Sequence, residues 1–310
     1  MADVPADSPD PHEEDSPFKK SKWFTRGWTL QELLAPESLI FFDREWEEIG
    51  TKRTLSSAII SVTGIESPYL HDQSSACIAK KMSWASRRQT LREEDIAYCL
   101  LGIFGVNMPL LYGESPAAFL RLQTEIIKIS DDESIFAWAD PQKVQSCGLL
   151  AQSPSAFRSS SNIYLEPLEI GSRFKDDTEL GFPFSMSNRG LQISLYLLHE
   201  IRDGIFLPVK SQSSLAVGIY VRAPLRCFTT TTSGNHIEEH LISVTLVKHT
   251  RGYSRVNCGE IYTIRYSDLP TDDTFLHTVF ITARVPLVRS PVWPRQSRSL
   301  LNTSTRTALP

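Results

Sequence analysis

The chain lacks the features that would place it at once in several large classes of protein. No apolar run approaches the ~18 residues that cross a bilayer, and the N-terminus has no apolar signal-peptide core. Lys and Arg number 32 against 36 Asp and Glu, the net charge is -4 and the pI is near 6.0. Without a basic excess, a general nucleic-acid binder is disfavoured. Cysteine is sparse: Cys77, Cys99, Cys147, Cys227 and Cys258 are scattered, odd in number and never spaced as C-x-x-C. That usage suits a reducing compartment in which thiols act as small core hydrophobes, so the chain reads as cytoplasmic. A Gly-rich phosphate loop, a nucleophile elbow and a dinucleotide fingerprint are all missing. Asn302-Thr303-Ser304 has the form of a glycosylation sequon, but no secretory signal gives it meaning.

What is present is an ordinary globular composition, 41% hydrophobic and 22% charged. At 310 residues the chain is long enough for two domains or one large one. Residues 1–20 hold six acids against Lys19 and Lys20, with four prolines, and are expected to form a disordered acidic tail. Residues 21–140 read as a helical half. Trp28 to Leu34 is a short helix stopped by Pro36, and Leu39 to Phe42 is a buried strand. Leu55, Ala58, Ile59 and Val62 fall on one helical face, which Gly64 closes. Thr90 and Glu93 have capping-box spacing before a stripe of Ile96, Cys99, Leu100, Ile103 and Phe104 that ends at Gly105. Ser115-Pro116 predicts an N-cap and first turn for a helix carrying Phe119, Leu122 and Ile126 inward.

From about Gly148 the period changes to two. Leu191, Ile193, Leu195 and Leu197 alternate with polar residues, as do Val217, Ile219 and Val221, and Ile242, Val244 and Leu246. Further strands are expected in 205–209, 261–266 and 278–282. Residues 147–287 are thus a β-rich domain with its own core, linked through Asp140 to Ser146, and 288–310 a flexible tail. The fold class is α+β: a helical half followed by an antiparallel sandwich or barrel-like half.

The stretch Trp23-Phe24-Thr25-Arg26-Gly27-Trp28-Thr29-Leu30-Gln31-Glu32-Leu33-Leu34-Ala35-Pro36 resembles the closing block of the fungal heterokaryon-incompatibility (HET) domain. Met82 to Arg88 with Asp95 to Phe104, and then Met108 to Glu114, look like the region that habitually follows it. Asp3-Val4-Pro5 looks like the end of that domain's upstream half, so the chain resembles a truncated HET domain joined to a downstream region. The resemblance gives signature positions at Trp23, Arg26, Gly27, Trp28, Trp84, Arg88, Arg92, Glu94, Asp95, Tyr98, Tyr112, Gly113 and Glu114. It implies a TIR-like origin for the helical half. The implied role is signalling or interaction in fungal vegetative incompatibility, in self/non-self recognition and programmed cell death. Protein partners are implied; a nucleic acid, a membrane span, a metal or a cofactor is not.

Three roles compete. In plant TIR domains a similar segment, Trp-Cys-Leu-x-Glu-Leu, carries the Glu that cleaves NAD, and Glu32 stands at the matching position with Thr29 in place of the Cys. A carboxylate there would stabilise an oxocarbenium-like ribose, making NAD a substrate. Alternatively Glu32 pairs with Arg26 or bonds backbone as a structural residue in a non-enzymatic fragment. In the third reading the β half is a partner-binding module. The charged run Arg87, Arg88, Arg92, Glu93, Glu94 and Asp95 reads as an ion-pair network or as an anion or partner site. Asp131, Asp132 and Glu133 lack the spacing of a calcium loop and are expected to cap the following turn. His236-Ile237-Glu238-Glu239-His240 has the spacing of an inverted zinc-protease motif, but its surroundings predict a strand, where the two His lie too far apart to share zinc.

Overall fold

The computed structural model describes residues 1–142, 148–165, 184–202, 205–233, 236–270 and 276–281. The expected flexible tail at 288–310, the sequon at 302–304 and most of the linker lie outside them. The acidic N-terminal segment is packed rather than disordered. Two apolar residues anchor it: Val4 and Phe18 are each 1% exposed. Asp3 accepts from Ser21 Oγ and from the Lys22 amide, both at 2.7 Å, and the Val4 carbonyl accepts from the Arg44 amide at 3.0 Å. Phe18, on α1 (Pro17–Lys20), meets Phe24 and Phe41 edge-on at 5.3 and 5.4 Å. Each such pair contributes roughly 0.5–1.5 kcal/mol beyond burial. Composition pointed to disorder because its few apolar residues are outnumbered by charge; their positions, not their number, hold the segment.

The short helix α2 (Thr29–Leu34) precedes Pro36 as expected. Next come the antiparallel hairpin β1 (Ile40–Phe42) and β2 (Glu48–Thr51), in which only Phe41 of β1 is buried. Helix α3 (Ser56–Thr63) is closed by Gly64 at φ 68°, then α4 (Ser67–His71) and α5 (Ile78–Ala85) follow. The expected capping box is not formed. Thr90 Oγ1 donates to the Arg92 carbonyl at 2.6 Å, and the helix begins later. It is also broken into α6 (Asp95–Tyr98) and α7 (Leu101–Phe104). The Cys99 carbonyl at the break accepts from Gln31 Nε2 at 2.6 Å. Ser115 is not an N-cap either: it sits at φ 49°, and Pro116 precedes α8 (Ala117–Ile129). On the buried face of α8, Gln123 exchanges bonds with Ala151, donating at 2.7 Å and accepting at 3.0 Å. Asp132 does cap its turn, accepting from the Ser134 amide at 2.8 Å.

The strands join one mixed ten-stranded sheet with the path β4-β5-β12-β10-β9-β8-β6-β7. They are β3 (Ile163–Leu165), β4 (Ser185–Ser187), β5 (Gly190–Tyr196), β6 (Leu198–Arg202), β7 (Ile205–Pro208), β8 (Tyr220–Ser233), β9 (His236–His249), β10 (Gly252–Val256), β11 (Tyr262–Arg265) and β12 (Leu276–Ile281). β3 pairs with β8 and β11 with β9 beside this path. Among the described residues its ends, β4 and β7, do not pair, so the sheet is open and not a closed barrel. The long β8–β9 hairpin slips register between Pro224 and Phe228. One pair, β10 with β12, is parallel. There the Phe280 carbonyl lies 2.4 Å from where a Cβ on Gly252 (φ 151°) would stand, so only glycine fits. The alternation in β5 buries Leu191, Ile193 and Leu195. In β9 Ile242, Val244 and Leu246 are buried as expected, but Leu241, Ser243, Thr245 and Val247 are buried as well, so both faces of that stretch are covered. The one expected from Val217 fails, because Gly218 turns at φ 88° and β8 starts at Tyr220.

The two halves share a core. One hydrophobic cluster runs from Phe18 through Leu122 and Phe136 to Leu246 and Ile281. Arg255 of β10, 3% exposed, donates to the carbonyls of Phe136 at 2.9 Å and Trp138 at 2.6 Å, with its guanidinium 4.0 Å from the Trp138 ring centroid. Glu133, also 3% exposed, accepts from the Arg226 amide and Nε at 2.7 and 2.8 Å. Burial pushes the Glu133 carboxyl up, and Arg226 counters it. Cys77, Cys99 and Cys227 are buried free thiols, whereas Cys258 is disulfide-bonded, a departure from the expected thiols.

Candidate functional site

The signature residues meet at a joint between two segments about sixty positions apart. Gly27 donates to the Gln89 carbonyl at 2.8 Å and Gln89 to the Thr25 carbonyl at 2.7 Å, forming a short parallel bridge between Arg26 and Gln89. So close an approach requires Gly27: a Cβ there would stand 2.4 Å from Thr90 Cγ2 and 3.1 Å from Cys99 Sγ. Arg88, 7% exposed, donates through one nitrogen to the Arg26 carbonyl at 2.9 Å and Thr29 Oγ1 at 2.8 Å. Burial lowers the Arg88 pKa to about 10, with Cys99 and Glu32 acting the other way, so it stays cationic near neutrality. Burial likewise pushes the Cys99 thiol up to about 12. Trp23 stacks edge-on against Phe24 and Phe41, and buried Trp84 lies 5.7 Å from Tyr69. Trp28 remains 39% exposed.

Glu32 lies on the exposed side of α2. Among the described residues it makes no ion pair with Arg26, and it lines neither of the two clefts below. Its nearest electrostatic role is the attraction it exerts on Arg88.

The rest of the signature forms a clasp on the loop from Met108 to Ser115. Glu94 accepts from the amides of Gly113 at 2.7 Å and Ser115 at 3.1 Å. Its own amide and those two hold its carboxyl below the usual range. Tyr98, 1% exposed, donates to Glu114 and accepts from the Leu111 amide, both at 2.8 Å. Tyr112 donates to Asp95 at 3.1 Å, and Arg92 stacks 4.5 Å above the Tyr112 ring. Arg121 of α8 completes the clasp through Glu114 and the Pro109 carbonyl. Among the described residues the charged run forms no ion pair. Glu94 holds backbone amides and Asp95 a phenol, while Arg88 holds a carbonyl and a hydroxyl and Arg92 stacks on a ring.

Two clefts adjoin this region. A crevice of about 150 Å³ lies between the ends of α3 and α5, with Arg87, Arg88 and Arg158 in its walls. An open cleft of about 980 Å³ has Ser153, Asn162, Thr229, Ile242 and Thr263 among its walls, and Arg158 borders it too. His236 to His240 lie on β9, where His240 bonds Thr231 at 2.9 Å. Among the described residues no cluster of His, Cys, Asp or Glu could hold a metal. No helix among them is long and apolar enough to cross a membrane. Sequence reading missed Arg158, Arg121 and Gln31 as members of these arrangements. Their partners are distant in sequence, and no local pattern marks them.

No family model matches the chain, and no solved structure matches it significantly. Over 142 residues it is 44% identical to the vegetative incompatibility protein HET-E-1 of Podospora anserina. That match covers 44% of this chain and 10% of HET-E-1, so the chain spans only a small part of its relative's length. This chain is related to a fungal vegetative incompatibility protein.

Proposed function

We propose that the chain acts in fungal vegetative incompatibility as a cytoplasmic signalling and interaction component, without catalysis, and that its helical half is a remnant of a HET domain. The similarity to HET-E-1 carries this reading. The signature residues support it by their use: Gly27, Arg88, Glu94 and Tyr98 bind backbone or pack segments together. Catalysis needs its substrate held against the reactive group, and Glu32 stands on an exposed helix face and lines neither of the two clefts.

The competing reading, NAD cleavage by Glu32, is favoured by the match to the TIR segment and by the exposure that leaves Glu32 open to a ligand. Two measurements separate them. Inducible expression in Podospora anserina should arrest growth and kill cells, equally for wild type and Glu32→Ala. Purified chain should release no nicotinamide from NAD above background. Release that disappears in Glu32→Ala would make the protein an enzyme; healthy cells at full expression would remove it from the incompatibility response.

A further inference from the structure

Arg87, Arg88 and Arg158 converge on the 150 Å³ crevice, and no Asp or Glu lines it. None of the three makes an ion pair among the described residues. Arg88 is more than nine-tenths buried and commits only one guanidinium nitrogen, to Arg26 O and Thr29 Oγ1. Among the described residues its remaining N–H groups have no acceptor. Arg255, the other buried cation, is different: two of its nitrogens are on carbonyls and its plane lies over Trp138, so its environment is complete. Glu32 attracts Arg88 from outside the crevice, but the two further guanidiniums beside Arg88 add repulsion that an anion in the crevice would relieve. The crevice also offers two free hydroxyl donors, Ser61 and Ser161. Thr63, Ser83 and Ser86 already donate to carbonyls of their own helices.

We infer that this crevice is an oxyanion site, built to take the phosphate group of a small phosphorylated molecule. Guanidinium forks and hydroxyls together match the several acceptor oxygens of a phosphate better than the two of a carboxylate. At about 150 Å³ the crevice is below the ~300 Å³ of a whole small-molecule pocket, so only the phosphate enters. The rest of the molecule would extend past Arg158, which stands on the border of the 980 Å³ cleft. This site rests neither on catalysis by Glu32 nor on the incompatibility reading.

Calorimetry on the full chain tests it, using inorganic phosphate, inorganic diphosphate and acetate at matched ionic strength. One saturable site is expected, tightest for diphosphate and weakest for acetate, with affinity falling as salt rises. Arg87→Gln and Arg158→Gln remove exposed side chains that make no hydrogen bond among the described residues, so both variants should fold as wild type. Each should weaken diphosphate about tenfold. A nucleoside diphosphate that binds more tightly than diphosphate would identify a nucleotide as the source. Equal affinity would identify the phosphate group alone; both outcomes support the site. No saturable binding at millimolar diphosphate, acetate binding as tightly as phosphate, or undiminished binding in the double variant would each overturn it.

Discussion

Gly27→Ala should destabilise the protein by about 1–3 kcal/mol through overpacking at the joint. The added Cβ would stand 2.4 Å from Thr90 Cγ2, where carbon atoms normally stay ~3.5–4.0 Å apart. More than 1 Å must be found, roughly, and the Sγ of Cys99 at 3.1 Å closes the other side. The backbone is poorly placed to yield, because the Gly27–Gln89 and Gln89–Thr25 bonds at 2.8 and 2.7 Å pin both strands of the bridge. Thr90 therefore decides the outcome. Replacing it by serine keeps the hydroxyl that bonds the Arg92 carbonyl and deletes the clashing methyl. Urea denaturation of wild type, the two single variants and the double variant forms a cycle. A favourable coupling of about 1 kcal/mol or more between Gly27→Ala and Thr90→Ser is expected. An unshifted midpoint for Gly27→Ala, or no relief from Thr90→Ser, would refute the close packing of these two segments.

Ser115→Gly should stabilise by about 0.5–1 kcal/mol, because Ser115 holds φ 49°, where a side chain is strained; a lower melting temperature would contradict this. Arg255→Met leaves the buried Trp138 carbonyl without its donor and the Phe136 carbonyl with the Trp138 amide alone, and should cost about 2–4 kcal/mol. Hydrogen exchange should then show α8 and β9 weakened together, whereas loss in one half alone would mean the halves are uncoupled. Stability should fall at alkaline pH. Burial holds Cys77 up to about 11 and Cys99 up to about 12, against 9.0 for an ordinary thiol. The folded state therefore keeps protons that the unfolded chain loses. That contribution is intact below pH 9.0 and disappears toward 11 and 12, at up to about 1.4 kcal/mol per pH unit per group. Cys99→Ala should flatten the alkaline slope, and an unchanged slope would assign it to other groups.

Several local signals in the sequence reported local structure. Pro36 after α2, Gly64 after α3 and the alternation of β5 each act within a few residues, and each is found where expected. What could not be read is set by contacts far along the chain. Thr90 and Glu93 had capping spacing, but Glu94 is drawn to amides 19 and 21 positions ahead, and the first turn forms around that clasp instead. Cys99 and Leu100 sit on an unbroken apolar stripe, yet a break falls there, and Gln31 from 68 positions earlier supplies the missing donor. The acidic start looked disordered until Val4 and Phe18 were seen to enter the core. Of the candidate site, the motif residues were visible as a set. Their use as a joint, and the convergence of Arg158 on Arg87 and Arg88, were not.

The position of β12 has a consequence for how the chain comes to be folded. It lies between β5 and β10 and is the strand through which the β4–β5 pair joins the rest of the sheet path. Ser194 and Thr278, whose hydroxyls meet at 3.2 Å across that pairing, are 84 positions apart. At ~5–20 residues per second on the ribosome, β5 waits roughly 4 to 17 s for its partner to be made. During that interval β5 and β10 each present an unpaired edge, and pairing across so long a separation is slow even once β12 is available. The hazardous step in making this protein is the insertion of its last described strand, when a nascent chain is most open to aggregation and most in need of a chaperone.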